Sequence, residues 1–273
     1  MIIAVGSVKG SPGATTAALA LADRWPVGNV PLVVEADPAG GDLGARFGLA
    51  AARGLVTLAA AGRRGDRVSD GRSLTEHVHE LPGGLPVVTA PAGAEQARQV
   101  LGELAGGGWS LLWGAARRGR TMIVDCGRLD PLSPAAPAWR AADALLVVLR
   151  ARDDEIGHLA ARWQVLDSWG LPAWYLLPTQ VDGSRERRMR DLVRILGPQV
   201  LGPLPYDLAA AQVLAGRRRQ RRGIRRSALG RAAGGVAGFL TSGAVPARSD
   251  AELPPGRTAA GQAAALSPGA GSR

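Results

Sequence analysis

The chain has 273 residues, 46% of them hydrophobic and 21% charged, enough for one large α/β domain with a full core or for two small domains. Its single cysteine, Cys126, excludes an intrachain disulfide framework and a cysteine-rich metal site. The formal net charge of +10 points to acidic partners such as nucleic acid or anionic lipid, although of 33 basic residues only Lys9 is a lysine.

That skew, with the abundance of Ala, Gly and Pro, reads as a coding bias. The one lysine kept is then expected where an ammonium rather than a guanidinium is needed. No apolar run approaches the roughly 20 residues of a bilayer span, and no basic leader precedes the opening MIIAVGS. The expectation is a cytoplasmic protein.

In chain order, apolar runs rich in Val, Ile and Leu fall at residues 2–8, 31–36, 85–90, 121–125, 144–149 and 173–178, with a short one at 199–201. They alternate poorly, as strands buried on both faces do. Helices are predicted at 14–24, 95–105, 109–117, 154–169, 185–196, 207–215 and 228–240. In 154–169 the apolar stripe is Ile156, Leu159, Ala160, Trp163 and Leu166; in 185–196 it is Met189, Leu192, Val193 and Leu196. Strand–helix alternation of this kind predicts a doubly wound, mostly parallel α/β sheet with helices on both faces. The expected domain is 1–242. Beyond it, 243–273 is Ala, Gly, Pro and Ser with scattered charges and no periodicity, a tail expected to be disordered.

The first strand runs into Gly6-Ser7-Val8-Lys9-Gly10-Ser11-Pro12-Gly13-Ala14-Thr15-Thr16 and then an Ala/Leu helix. Strand, glycine-rich turn and helix start are the context of a phosphate loop. Glycines let the backbone approach phosphates, and the amides and helix N-terminus supply positive potential. Thr15 is placed to offer its hydroxyl to Mg²⁺ and Thr16 to reach an inner phosphate. The second strand ends in Glu35-Ala36-Asp37, acids suited to holding metal-bound water or orienting an attacking water. The fourth, Met122-Ile123-Val124, closes on Asp125, a carboxylate suited to assisting Mg²⁺ through water.

The loop resembles the deviant Walker A motif, KGGxGK[ST], of the MinD/ParA family. Lys9 matches the signature lysine, and Gly10, Gly13, Thr15 and Thr16 match as well. Ser11 stands for the second glycine, and Pro12 at a variable position. Ala14 stands where the family has the lysine that bridges the β- and γ-phosphates, and no second lysine exists to replace it, nor is any arginine close in sequence. The resemblance implies that Lys9 contacts the nucleotide of a partner subunit across a face-to-face dimer. It continues through Glu35 and Asp37 as the family's D-x-D, Asp125-Cys126-Gly127 as its D-x-[GP], Ala142–Val148 as its "aD.vlvV" strand, and Gly202–Asp207 as its "lG.iPyd" segment. Gln180 stands where the family places an adenine-side Asn, and Pro205 flanks the base. Gly41-Asp42 is similar to the CpaE/TadZ branch, associated with pili and secretion.

The run RRRQRRGIRR, from Arg217 to Arg226, is either a contact for DNA or anionic lipid or a solvated loop. His77 and His79, two apart on a predicted helix, and His158 form no metal constellation. Cys126 is expected to be a small buried residue.

The resemblance implies ATP with Mg²⁺ at a homodimer interface, held by residues 10–16, with Lys9 and Asp37 in catalysis and Thr15 and Asp125 at the metal. The switch would position or regulate a larger machine, a pilus or secretion ATPase being the first choice, peripheral at membrane or nucleoid. The loss of lysine at Ala14 predicts weak or absent hydrolysis. Two alternatives stay open: a pseudo-ATPase adaptor working only through protein contacts, and a ParA-like DNA-partition factor.

Overall fold

The computed structural model describes residues 1–10, 12–26, 28, 30–64, 72–181, 200–218 and 223–245. Among the described residues eight strands form one sheet in the order β3-β4-β2-β5-β1-β6-β7-β8. They are β1 Ile2–Ser7, β2 Leu32–Glu35, β3 His79–Leu81, β4 Leu85–Val88, β5 Met122–Arg128, β6 Ala144–Arg150, β7 Trp174–Val181 and β8 Leu204–Pro205. All pairings are parallel except β3–β4. β1 and β5 are buried along nearly their whole length, as central parallel strands must be when both faces carry helices.

Two apolar clusters cover the two faces. On one, α1 (Ala14–Asp23), α9 (Leu208–Leu214) and α10 (Ala228–Thr241) pack on Ile3, Val5, Ile123, Leu146 and Val148. On the other, α3 (Leu55–Arg63), α5 (Ala94–Glu103), α6 (Gly108–Arg117), α7 (Ala136–Arg140) and α8 (Asp153–Asp167) cover Ile2, Ala4, Val124, Leu145 and Val147. Alternate residues of β1 thus serve opposite cores, which is the period of a strand. Short helices α2 (Leu43–Phe47) and α4 (Arg72–Thr75) fill the connections after β2 and before β3.

The doubly wound sheet read from the sequence is the observed one, with local differences. Of the expected run 199–201, residue 199 lies outside the described residues; Val200 makes an isolated bridge to Leu176, and the edge is built by β8. His79 opens β3 rather than lying on a helix, and His77 and His79 are both buried, His77 against Thr57. Ala160 is exposed on α8, whose buried apolar face is Leu159 and Leu166. The predicted helix 185–196 and residues 246–273 of the predicted tail lie outside the described residues.

Candidate functional site

β1 lies between β5 and β6. The connection from β1 crosses toward β2 and that from β5 crosses toward β6, so the carboxyl end of β1 is the sheet's topological switch point, where open α/β sheets place ligands. The turn after β1 uses left-handed backbone at Gly10 (φ 67°) and Gly13 (φ 101°), a region that side chains with a Cβ rarely adopt. Ala17 N–H then donates to the Gly13 carbonyl and α1 begins. No acidic residue lies in its first turn, so its N-terminal potential is uncompensated. The turn is anchored from β7, two strands away in the sheet, by Thr179, whose hydroxyl donates to the Pro12 carbonyl at 2.8 Å. Ala14 is buried and Ser11 lies outside the described residues.

Strand register assembles the carboxylates. Asp125 is aligned with Val5 on one side and with Glu35 on the other. Asp125 is 1% exposed; its Oδ1 accepts the Gly127 N–H at 3.2 Å, and Thr15 on the first turn of α1 lies beside its side chain. Oδ2 is buried with no hydrogen-bond partner among the described residues. Burial pushes the Asp125 carboxyl up to about 7; the Thr15 hydroxyl and the Gly127 N–H pull it down, and the negative charges of Glu35 and Asp37 push it further up.

Asp37, half-buried, accepts the Ala39 N–H at 2.8 Å, and burial raises its pKa, as does nearby Asp42. Its carboxyl lies so close to Gly127 that a Cβ there would sit 2.1 Å from Cγ. Glu35 has another task. It is 2% exposed and accepts the backbone N–H groups of Asp42, Leu43 and Ala90 at 2.6, 3.0 and 3.1 Å, which ties the loop after β2 and the end of β4 together. Burial raises its pKa against those three bonds.

Among the described residues no group of three His, Cys, Asp or Glu side chains forms a metal cage. Mg²⁺ needs none: it keeps several waters and takes one or two protein ligands alongside phosphate oxygens. The Thr15 hydroxyl and the orphaned Oδ2 of Asp125 fit such an ion.

Lys9 is exposed, with Nζ 2.6 Å from Nε2 of His158 on α8. On the other side of the turn, Pro12, Gly13, Thr16, Thr179, Pro205 and Tyr206 line a cavity of about 110 Å³, which puts Pro205 beside the loop. Gln180 is in β7, and its side chain lies outside the described residues. A larger cavity of about 720 Å³ sits at the opposite, amino ends of β2 and β5 near Arg118 and Arg120, away from this chemistry.

Sequence reading missed Arg150. In the parallel β1–β6 ladder Gly6 is aligned with Val147, so the end of β6, with Arg150, emerges beside the turn that follows β1. The Arg150 guanidinium packs on the turn, with Nη2 3.1 Å from where a Cβ on Gly10 would be. Glu155, 2% exposed, fixes it by accepting from Arg150 Nε and, at 2.7 Å, from its backbone N–H. The signal was the register of two strands 140 residues apart, which spacing along the chain does not show.

The basic run joins α9 to α10. Arg217, Arg218, Arg225 and Arg226 are exposed, while residues 219–222 lie outside the described residues.

A central parallel strand, a glycine turn opening a helix, and a buried aspartate at the end of the adjacent strand are the features of the P-loop fold class. Within that class the fold is of the MinD/ParA type, as comparison with solved structures shows. A ParA-family ATPase from Chlorobium tepidum is 18% identical with a TM-score of 0.69, covering 86% of this chain and 98% of that one. MinD of Aquifex aeolicus, in a MinC:MinD cell-division complex, is 17% identical with a TM-score of 0.63, covering 91% and 98%. MinD of Pyrococcus horikoshii complexed with Mg-ADP is 18% identical with a TM-score of 0.63, covering 89% and 96%. No protein-family model matches the chain, and no curated protein matches it in sequence.

Proposed function

We propose that this chain is a MinD/ParA-type molecular switch that binds ATP with Mg²⁺ and dimerises through Lys9 to position or regulate a larger assembly. The single observation that carries the reading is Asp125: a carboxylate buried beside the phosphate loop, next to Thr15, with one oxygen unpartnered. Leaving a buried polar atom unpartnered costs about 1–3 kcal/mol, a cost that a ligand would relieve. The Gly10–Thr16 backbone would hold phosphates, Thr15 and Asp125 the hydrated metal, and Asp37 a water. Bound Mg²⁺ would neutralise charge on the phosphate oxygens. The Mg-ADP held by MinD of similar fold supports the nucleotide, and the MinC:MinD pair supports a protein partner. Gly41-Asp42 favours the CpaE/TadZ-like branch and hence a pilus or secretion ATPase as that partner, at the cytoplasmic face of a membrane or at the nucleoid. Among the described residues no helix is long and apolar enough to cross a membrane.

Ala14 favours a second reading, an adaptor that keeps the fold and works through protein contacts with little or no turnover. The exposed arginines of the basic run favour non-specific binding to DNA or anionic lipid in either case. The test is size measurement by light scattering with and without ATP and Mg²⁺. A dimer that needs ATP and is lost in Lys9→Ala supports the switch. A dimer unchanged in Lys9→Ala sinks the role given to Lys9, and a monomer under all conditions favours the adaptor.

A further inference from the structure

We infer that Arg150 supplies the phosphate-binding cation that the loop lacks at Ala14, an inference that rests on the nucleotide-binding reading above. The P-loop places its lysine within the turn, and here that position is a buried methyl group. The only lysine of the chain, Lys9, is engaged with His158. The guanidinium of Arg150 is the cation packed on the turn itself, against Gly10. Its attachment suits a ligand-binding role. Glu155 holds Nε and the backbone N–H, which fixes the side chain at its stem, and the terminal Nη1 and Nη2 make no hydrogen bond among the described residues. The side chain is 26% exposed at the loop, while Glu155 is buried. A planar fork with two terminal amino groups matches two oxygens of one phosphate or of adjacent phosphates. Thr179, aligned with Arg150 in the β6–β7 ladder, anchors Pro12, so loop and guanidinium are referenced to the same strand pair. The sequence bias toward arginine makes the exchange intelligible: the positive charge is kept, but from β6 rather than from α1.

The experiment measures dissociation constants of ATP and ADP with Mg²⁺ by calorimetry for the full chain, Arg150→Ala, the Arg150→Ala/Glu155→Gln pair, and Arg150→Ala/Ala14→Lys. The paired variant removes both charges together, so that no buried carboxylate is stranded and folding is protected. Loss of a charge-assisted fork predicts ATP binding weakened about 10- to 100-fold in both loss variants, with ADP affected less. Ala14→Lys should recover most of that loss, which a merely structural role for Arg150 would not allow. If the wild type binds ATP and the paired variant binds it equally well, Arg150 is not the phosphate cation and the nucleotide reading stands. If the wild type binds neither nucleotide at millimolar concentration, the nucleotide reading falls and this inference with it.

Discussion

Lys9, on the loop after β1, and His158, on the first half of α8, meet at 2.6 Å between Nζ and Nε2. The sole lysine of the chain is therefore folded back on its own subunit. A lysine that reaches a partner's nucleotide has to leave this contact, so the contact competes with dimerisation. His158→Ala should lower the ATP concentration at which the dimer forms, as light scattering would read. Because both groups are exposed, stability should change by no more than about 0.5 kcal/mol.

Asp125 predicts a pH dependence. Its native pKa is raised to about 7 by burial, against an ordinary value of 3.8. Between those values the folded chain holds a proton that the unfolded chain releases. The stability it contributes is full at the acid end, falls as pH rises through this window, and is lost above about 7. Protein without nucleotide should accordingly melt higher at pH 5 than at pH 8 on account of this group. Asp125→Asn should flatten that difference and raise the melting point at pH 8 by about 2–4 °C per kcal/mol relieved, while abolishing Mg²⁺-dependent nucleotide binding. A melting point at pH 8 lowered by the substitution would contradict the assignment.

Glu35 is a clamp rather than a catalyst. Removing its carboxylate in Glu35→Ala orphans three backbone N–H groups and should cost about 3 kcal/mol or more by denaturant unfolding. Glu35→Gln keeps one acceptor oxygen and should cost less.

Gly127→Ala tests the packing of Asp37. The native φ is +59°, and the added methyl would collide with the Asp37 carboxyl. Stability should fall by about 1–3 kcal/mol, and nucleotide binding should fall further through displaced Asp37.

The fold was legible because its signals are local. Unalternating Val/Ile/Leu runs separated by helical stretches give a parallel sheet, and the glycine turn after β1 marks the loop. Asp125 and Thr15 stood out as candidates because both belong to motifs with fixed neighbours. β3 was missed since His79-Glu80-Leu81 is three residues long and polar at its centre, and β8 since two residues with a proline carry no period. The role of Glu35 depends on amides from two separate loops, and that of Arg150 on strand register. Both are products of tertiary pairing, and neither leaves a mark in adjacent residues.

The central claim is that this loop binds ATP despite Ala14, and calorimetric titration of the purified full chain with ATP and Mg²⁺ tests it most directly. The account predicts saturable binding at roughly micromolar concentration, about −8 kcal/mol, that is lost when Mg²⁺ is chelated. Absence of binding at millimolar ATP would contradict it and leave the chain a P-loop fold that works through protein contacts alone.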